Sequence, residues 1–368
     1  MVKFTANQKE FQNALGIAYR AVSAQTTMPI LTCVLIEIHD EYATIVGNDM
    51  EKSIETSVAV ESQEQGSLAV NAKMLLEIIR KLPDKNFTFN CDENYTVQIK
   101  SGKVKFSISG QSPDDFPELS NAHATDSISV TQGLLRKLIQ GTIFSVGLNE
   151  NNKMMSGILF DVKDGRLTLT ALDGHRISIR SEEIGDQTGE YNVVVPSETL
   201  KEIVRILPDS WDDDVNIYFS KSHIVFELDN VRAISRLIDG EYFDISKVTK
   251  SETSVKVVVN REEICKSLER SMLLVKENAK TPIVLDISGD MVNMSIHSQM
   301  GRFDESSACI HEGDDLEIAF NPKLILDALN AVSDAEVSLN MTNPKSPCFI
   351  KDENGTYNYV ILPVNFVR

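Results

Sequence analysis

Along this chain the spacing of apolar positions switches repeatedly between a helical period and a strict alternation. In "VNAKMLLEIIRKLPD", which begins at Val70, the apolar Met74, Leu75, Ile78, Ile79 and Leu82 recur at helical spacing with Lys73, Glu77 and Lys81 between them. Asn71 is placed to cap such a helix, and Pro83 cannot continue it. The stretch returns as "VPSETLKEIVRILPD" from Val195 and as "FNPKLILDALNAVSD" from Phe320, each 125 residues after the one before. Leu200, Ile203, Val204 and Leu207, then Ile325, Ala328, Leu329 and Val332, occupy the slots of Leu75, Ile78, Ile79 and Leu82, and Pro208 matches Pro83.

A second helix is triplicated too. Phe11, Leu15, Ala18, Tyr19 and Val22 reappear as Leu135, Ile139, Thr142, Ile143 and Val146, and again as Ile264, Leu268, Ser271, Met272 and Val275. Around these helices the period falls to two, in "GILFDV", "RLTLTA", "HRISIR", "CVLIEIHDEYATIVG", "GKVKFSIS", "SHIVFEL" and "TPIVLDISGDMVNMSIH". "KDGR" at 163–166 supplies a hairpin turn. The pattern predicts an α+β fold of three tandem repeats, each of two helices and several antiparallel strands. With joints near 120–127 and 247–254, the domains run 1–124, 125–250 and 251–368.

Composition narrows the class. No apolar run reaches the roughly 18 residues of a membrane span, and the start "MVKFTANQKEF" lacks the apolar core of a signal peptide. Cys33, Cys91, Cys265, Cys309 and Cys348 are scattered, which fits free thiols in a reducing cytoplasm and not a disulfide framework or zinc site. The net charge of −18 opposes a grip on nucleic acid by the whole surface. The charge is uneven, however. The six repeated helix windows together carry +6, so the rest of the chain carries −24. A helical layer of that sign attracts phosphate weakly. Its candidate phosphate contacts are Lys9, Arg20, Lys73, Arg80, Lys81, Arg136, Lys137, Lys201, Arg205 and Lys266. Tandem repeats also leave strand edges at both ends of the array, and self-association that closes them is the economical remedy. "KVKFSIS" at 103–109, with Phe106 and Ile108 on one face, suits one such edge, and Met272, Leu273 and Leu274 suit the other.

These repeats, with "MPIL" at 28–31, "LDGHRI" at 172–177, the helix–LPD endings and the tail "YVILPVNF" at 359–366, resemble the bacterial DNA polymerase III beta subunit family, the replicative sliding clamps. The resemblance covers the whole chain. It implies a head-to-tail homodimer, a six-domain ring whose helices line a hole around duplex DNA. It further implies a non-catalytic processivity factor, without cofactor or metal. Such a factor works in the cytoplasm at replication forks and tethers the replicative polymerase, the clamp loader and repair proteins through short peptides. On this resemblance the dimer contacts are Phe106 and Ile108 against Met272 and Leu273.

"LDGHRISIR" sets an Asp, a His and an Arg within four residues and has the look of a hydrolase site on Asp173 and His175. The repeat argues otherwise, since "NDMEKSI" at 48–54 places Asp49 and Lys52 in the slots of Asp173 and Arg176. No GxSxG, Walker or HExxH motif occurs. In the clamp family this turn and the C-terminal tail wall a peptide pocket. Carried over, the pocket comprises Met155, Leu172, Gly174, His175, Arg176 and Ile177, then Phe243, Lys247 and Val248, then Pro344, Ser346, Val360, Leu362, Pro363 and Val364. The chain departs from the family at Phe243, where a proline is common, at Asn365, where a basic residue is common, and at Gln25 in place of an arginine of some members. Two other readings stay open on the residues alone: a peptide-binding adaptor of the same fold without DNA function, and the hydrolase.

Overall fold

In the computed structural model, the structure describes residues 1–23, 25–117, 127–147, 152–185, 189–207, 212–249, 251–275 and 281–366. Pro208 and most of the joint at 120–127 lie outside the described residues. The helices are α1 (Gln8–Ala18), α2 (Ala72–Arg80), α3 (Gln132–Gln140), α4 (Ser197–Ile206), α5 (Ser246–Thr249), α6 (Arg261–Met272) and α7 (Pro322–Asn330). All but the short α5 are the repeated helices of the sequence pattern.

The outer repeats cap their helices alike. Asn7, Asn71, Asn260 and Asn321 cap α1, α2, α6 and α7, their side-chain oxygens accepting from backbone N–H groups of the first turn. The first residue of α1, α3 and α6 donates its backbone N–H to the segment that follows the second helix. These bonds run from Gln8 to Lys85 (2.8 Å), Gln132 to Asp213 (2.8 Å) and Arg261 to Ala335 (2.9 Å). The periodicity over 11–22 and 135–146 outruns the α-helices, which tighten into 3-10 turns at Tyr19–Ala21 and Ile143–Ser145. In the middle repeat Thr142 Oγ1 takes the carbonyls of Leu138 and Ile139 (3.0 and 3.1 Å), satisfying the helix end.

The chain divides into two compact units, Met1–Gly133 with Glu198–Leu237, and Leu134–Ser197 with Ile238–Arg368. Each contains one twelve-stranded antiparallel sheet. In the first the order is Val2–Asn7, Asn86–Cys91, Thr96–Ser101, Val104–Gln111, Gly66–Asn71, Cys33–Ile38, Tyr42–Asn48, Lys52–Glu64, Val231–Arg236, His223–Leu228, Asp214–Phe219 and Ser127–Thr131. In the second it is Tyr191–Pro196, Gly157–Lys163, Arg166–Leu172, Arg176–Glu183, Tyr357–Ile361, Cys348–Lys351, Glu336–Met341, Val255–Asn260, Gly301–Glu312, Met291–Ser298, Ile283–Ser288 and Leu316–Phe320. The predicted hairpin at 163–166 is present, with Asp164 and Gly165 both at positive φ (50° and 71°), the geometry of a type I′ turn.

Each sheet crosses from one repeat to the next at a single seam. In the first unit Lys52–Glu64 pairs with Val231–Arg236, Ser53 opposite Ile234. In the second unit Arg176–Glu183 pairs with Tyr357–Ile361, Ile177 opposite Val360. The two seams join equivalent strands of the repeat.

The cores lie where helices cover the sheets. In the first unit Phe4 stacks on Phe89 and Phe11, with ring centroids 4.9 and 5.7 Å apart, and meets Phe87 edge-on. In the second, Arg180 is buried at the seam, donating to the Tyr359 hydroxyl (2.8 Å) and to the Ala331 carbonyl beneath the Tyr357 and Tyr359 rings. Gly141 permits that approach, since a Cβ there would lie 2.6 Å from Arg180 Nε. All five cysteines are free thiols, and burial pushes that of Cys348 up to about 12. Among the described residues, no helix is long and apolar enough to cross a membrane. Phe4→Ala, which empties the aromatic cluster, is expected to cost about 3–5 kcal/mol in denaturant unfolding.

Candidate functional site

The Leu172–Ile177 turn joins the hairpin strands Arg166–Leu172 and Arg176–Glu183. Asp173 builds it: Oδ1 accepts from the backbone N–H of His175 (3.0 Å) and Arg176 (3.1 Å), an Asx turn. Gly174 sits at φ +86°, and an added Cβ would meet nothing within 4 Å, so the surface above it is open. The first repeat forms the same turn at 48–53. There Asp49 Oδ1 accepts from Glu51 and Lys52 (3.0 and 2.8 Å), and Met50 takes the left-handed position at φ +76°. The Asp–His–Arg motif is therefore turn chemistry. Asp173 is occupied by two amides and by Arg176 Nε (3.0 Å), so it is not poised as a base.

The Arg176 side chain is only 10% exposed. Besides Asp173 it donates Nη1 to Asp327 Oδ2 (2.7 Å) and Nη2 to the Phe144 carbonyl, and its guanidinium lies 5.2 Å over the Phe144 ring. The tail closes on this turn. Leu362 N donates to the His175 carbonyl (2.9 Å), Val360 pairs with Ile177, and Val364 N donates to Ala319 (2.8 Å). Met155 belongs to the same wall, bonded through its carbonyl to Gly147 N (2.8 Å). A Cβ on Gly147 would fall between the Met155 Cβ (3.0 Å) and the Asp173 Cα (3.3 Å). Met155, Leu172, Gly174, His175, Arg176, Ile177, Val360 and Leu362 thus gather around one turn, and the tail runs on through Pro363 to Val364, bonded to Ala319. Lys247 and Val248 lie on α5, and Pro344 and Ser346 lie in the turn after Glu336–Met341. Their backbone bonds are local, Val248 N to Ile245 O and Ser346 N to Asn343 O.

A comparison between repeats shows what is special here. In the first unit the joint places Phe116 into a cluster with Ile30, Leu31, Cys33 and Ala69, 7% exposed, and Asn48 donates to the Pro117 carbonyl (2.8 Å). The chain fills that place with its own aromatic ring. In the second unit Phe243, in the slot of Pro117, is 37% exposed, and Leu172 replaces Asn48. Tyr242, in the slot of Phe116, packs inward as Phe116 does, bonding the Thr170 carbonyl (3.3 Å) while burial drives its phenol above the usual range.

The helix-face cations are largely paired with carboxylates of their own unit. Arg80 bonds Glu77 (3.0 Å), Lys201 bonds Glu198 (2.6 Å), and Glu202 holds both Arg205 (2.5 Å) and Arg20 (3.1 Å). Lys137 bonds Glu182 (2.6 Å) and Lys266 bonds Glu262 (2.5 Å). Lys9, Lys73 and Lys81 are exposed and Arg136 is half-buried. At the free edges, Phe106 and Ile108 of the strand Val104–Gln111 are half-buried against their core. Met272 is half-buried against its own core, and Leu273 at the end of α6 is 76% exposed.

Family models of the DNA polymerase III beta subunit match the chain in three consecutive parts, the N-terminal domain over 2–120, the central domain over 129–244 and the C-terminal domain over 248–365. The chain belongs to the DNA polymerase III beta subunit family, the sliding clamps. The beta sliding clamps of Staphylococcus epidermidis and Staphylococcus aureus are each 30% identical to it, over 99% of both chains. A solved structure from Eubacterium rectale, described as a DNA polymerase III beta subunit, is 42% identical with a TM-score of 0.96 over the full length of both chains. The sliding clamp of Bacillus subtilis is 30% identical, also at 0.96 over both full chains. In this family the beta subunit is the non-catalytic processivity subunit.

Sequence reasoning missed the partner of Arg176 in this clamp, and a signal for it existed. Asp327 occupies the slot of Glu202 and Glu77, an acid in all three repeats at intervals of 125. Gly174→Ala is expected to destabilise by about 1 kcal/mol through left-handed backbone strain alone, since nothing obstructs the added methyl group. Denaturant titration against Gly289→Ala, an exposed turn also at positive φ, checks the magnitude.

Proposed function

We propose that this chain acts as a head-to-tail homodimeric ring that encircles duplex DNA in the cytoplasm and tethers the replicative polymerase and other partners by peptides bound at the 172–177 turn and the tail. The domains 1–124, 125–250 and 251–368 are its three units of repetition. The observation that carries the reading is a missing third seam. Two seams pair equivalent strands inside the chain. The same rule leaves Gly301–Glu312 and Val104–Gln111 each with an open edge, and a second copy supplies the match in both directions. Transferring the register Ser53–Ile234 and Ile177–Val360 sets Arg302 opposite Ser107, Phe303 opposite Phe106 and Asp304 opposite Lys105 of the second copy. The first seam already contains such an opposite-charge pair, Glu55 across from Arg232. Phe106 and Ile108 then meet the Met272–Leu273 corner.

The helix faces support loose attachment to DNA. Most of their cations are held by neighbouring carboxylates, and exposed pairs of this kind contribute only about 0–1 kcal/mol, so phosphates can borrow them without gripping. The turn with open space above Gly174, flanked by the apolar Leu172 and Ile177 and by Met155, Val360 and Leu362, supports a peptide anchor site that Phe243, Lys247, Val248, Pro344 and Ser346 would extend.

Leu273→Asp should place a charge in the closing seam and reduce the sedimenting mass from twice the 41.0 kDa of the chain to the chain mass itself. A dimer surviving both Leu273→Asp and Phe106→Asp would rule out this interface. Separately, reversing charge at Lys9, Lys73 and Lys81 together should weaken retention on DNA and reduce its salt dependence, while peptide affinity stays constant. Unchanged retention would favour an adaptor over a clamp.

A further inference from the structure

The acid shared by the three repeats, Glu77, Glu202 and Asp327, finds its cation differently in the two seams. Glu202 is served from the helix layer, by Arg205 on its own helix and by Arg20 at the end of the first repeated helix. The counterpart of Arg20 in the middle repeat is Phe144, which carries no charge. Asp327 takes its cation from the 172–177 turn instead, as Arg176 Nη1 at 2.7 Å. Phe144 now lies under that guanidinium at 5.2 Å and accepts Nη2 at its carbonyl. In the first repeat the turn's own cation, Lys52, folds back onto Asp49. One exchange at the helix end has moved the ion pair, and with it the anchoring of the turn, from the helix layer to the edge of the candidate peptide pocket.

We infer that Asp327 is a positioning residue for peptide binding: through Arg176 it pins the 172–177 turn to α7, and it does not touch the peptide. With Nε, Nη1 and Nη2 all engaged and the side chain 10% exposed, Arg176 is a fixed strut and not a ligand-gripping arm. Neutralising Asp327 leaves a largely buried cation without one of its two carboxylates, and the turn relaxes to rehydrate it. Asp173 then holds Arg176 alone, as Asp49 holds Lys52 in the first repeat. The inference rests on the reading of this turn and tail as the peptide site.

The test uses the full-length protein and a fluorescein-labelled nonapeptide ending in Leu-Phe, with affinity read by anisotropy and backbone exchange at His175 and Arg176 read by mass spectrometry. Asp327→Asn is expected to weaken the peptide roughly 3- to 30-fold, to speed exchange at those two amides and to leave the dimer mass unchanged. Asp327→Glu, which reproduces the acid of the first seam, should recover most of the affinity. Phe144→Leu, which keeps the ion pair and removes only the ring, should produce a smaller loss in the same direction and serves if Asp327→Asn does not fold. Leu362→Asp on the tail is the control for the pocket. Loss with Leu362→Asp but full affinity in the folded Asp327 and Phe144 variants overturns the positioning role and keeps the pocket. Full affinity in every variant overturns the pocket itself.

Discussion

An extended strand carries a row of backbone N–H and C=O groups that must be paired, and the architecture of this clamp follows from where those rows find partners. Within the chain, equivalent strands meet at two seams, Lys52–Glu64 with Val231–Arg236 and Arg176–Glu183 with Tyr357–Ile361. The matching strands of the outer repeats, Gly301–Glu312 and Val104–Gln111, have no such partner among the described residues and show mostly exposed and half-buried positions, in contrast to the buried Tyr357–Ile361. Repetition thus sets the stoichiometry: a rule applied twice inside the chain requires a third application outside it. In the proposed ring, the apolar corner at Leu273 and the half-buried Phe106 and Ile108 would form that third joint.

The same repetition explains how an acidic protein serves DNA. Carboxylates one helical turn away hold Arg80, Lys201, Arg205 and Lys266, and Glu202 restrains two arginines at once. A ring that holds DNA by closure has no need of strong phosphate contacts, and strong contacts would oppose sliding. The proposed peptide site lies where the second unit diverges from the first repeat within the same scaffold. Where the first repeat has Pro117, Asn48 and Met50, this place has the exposed Phe243, Leu172 in place of a hydrogen-bonding asparagine, and Gly174 with open space above it.

Much of this was legible in the residues. The helical slots from Met74 to Leu82 and their copies, the alternating strands and the hairpin at 163–166 all follow local periodicity and turn chemistry, which the chain states directly. What periodicity cannot state is which strands adjoin across repeats, so the two large sheets and their seams emerged only in three dimensions. The 3-10 endings at Tyr19–Ala21 and Ile143–Ser145 were hidden because their apolar spacing still reads as helix. The residues Leu172, Gly174, His175, Arg176, Ile177, Val360 and Leu362, proposed for the pocket on the resemblance, lie close together at one turn of the fold. The link from Arg176 to Asp327 joins residues 151 apart in sequence, and only a repeat-by-repeat comparison of acids would have pointed to it.

The claim on which the rest depends is topological attachment, and retention on DNA of two shapes tests it most directly. The protein would be loaded onto nicked circular plasmid by its cognate loader, and half of the sample linearised. The account predicts retention on circles and loss from free ends at low and moderate salt alike. Equal retention on circular and linear DNA would contradict it, because contacts and not closure would then be holding the protein in place.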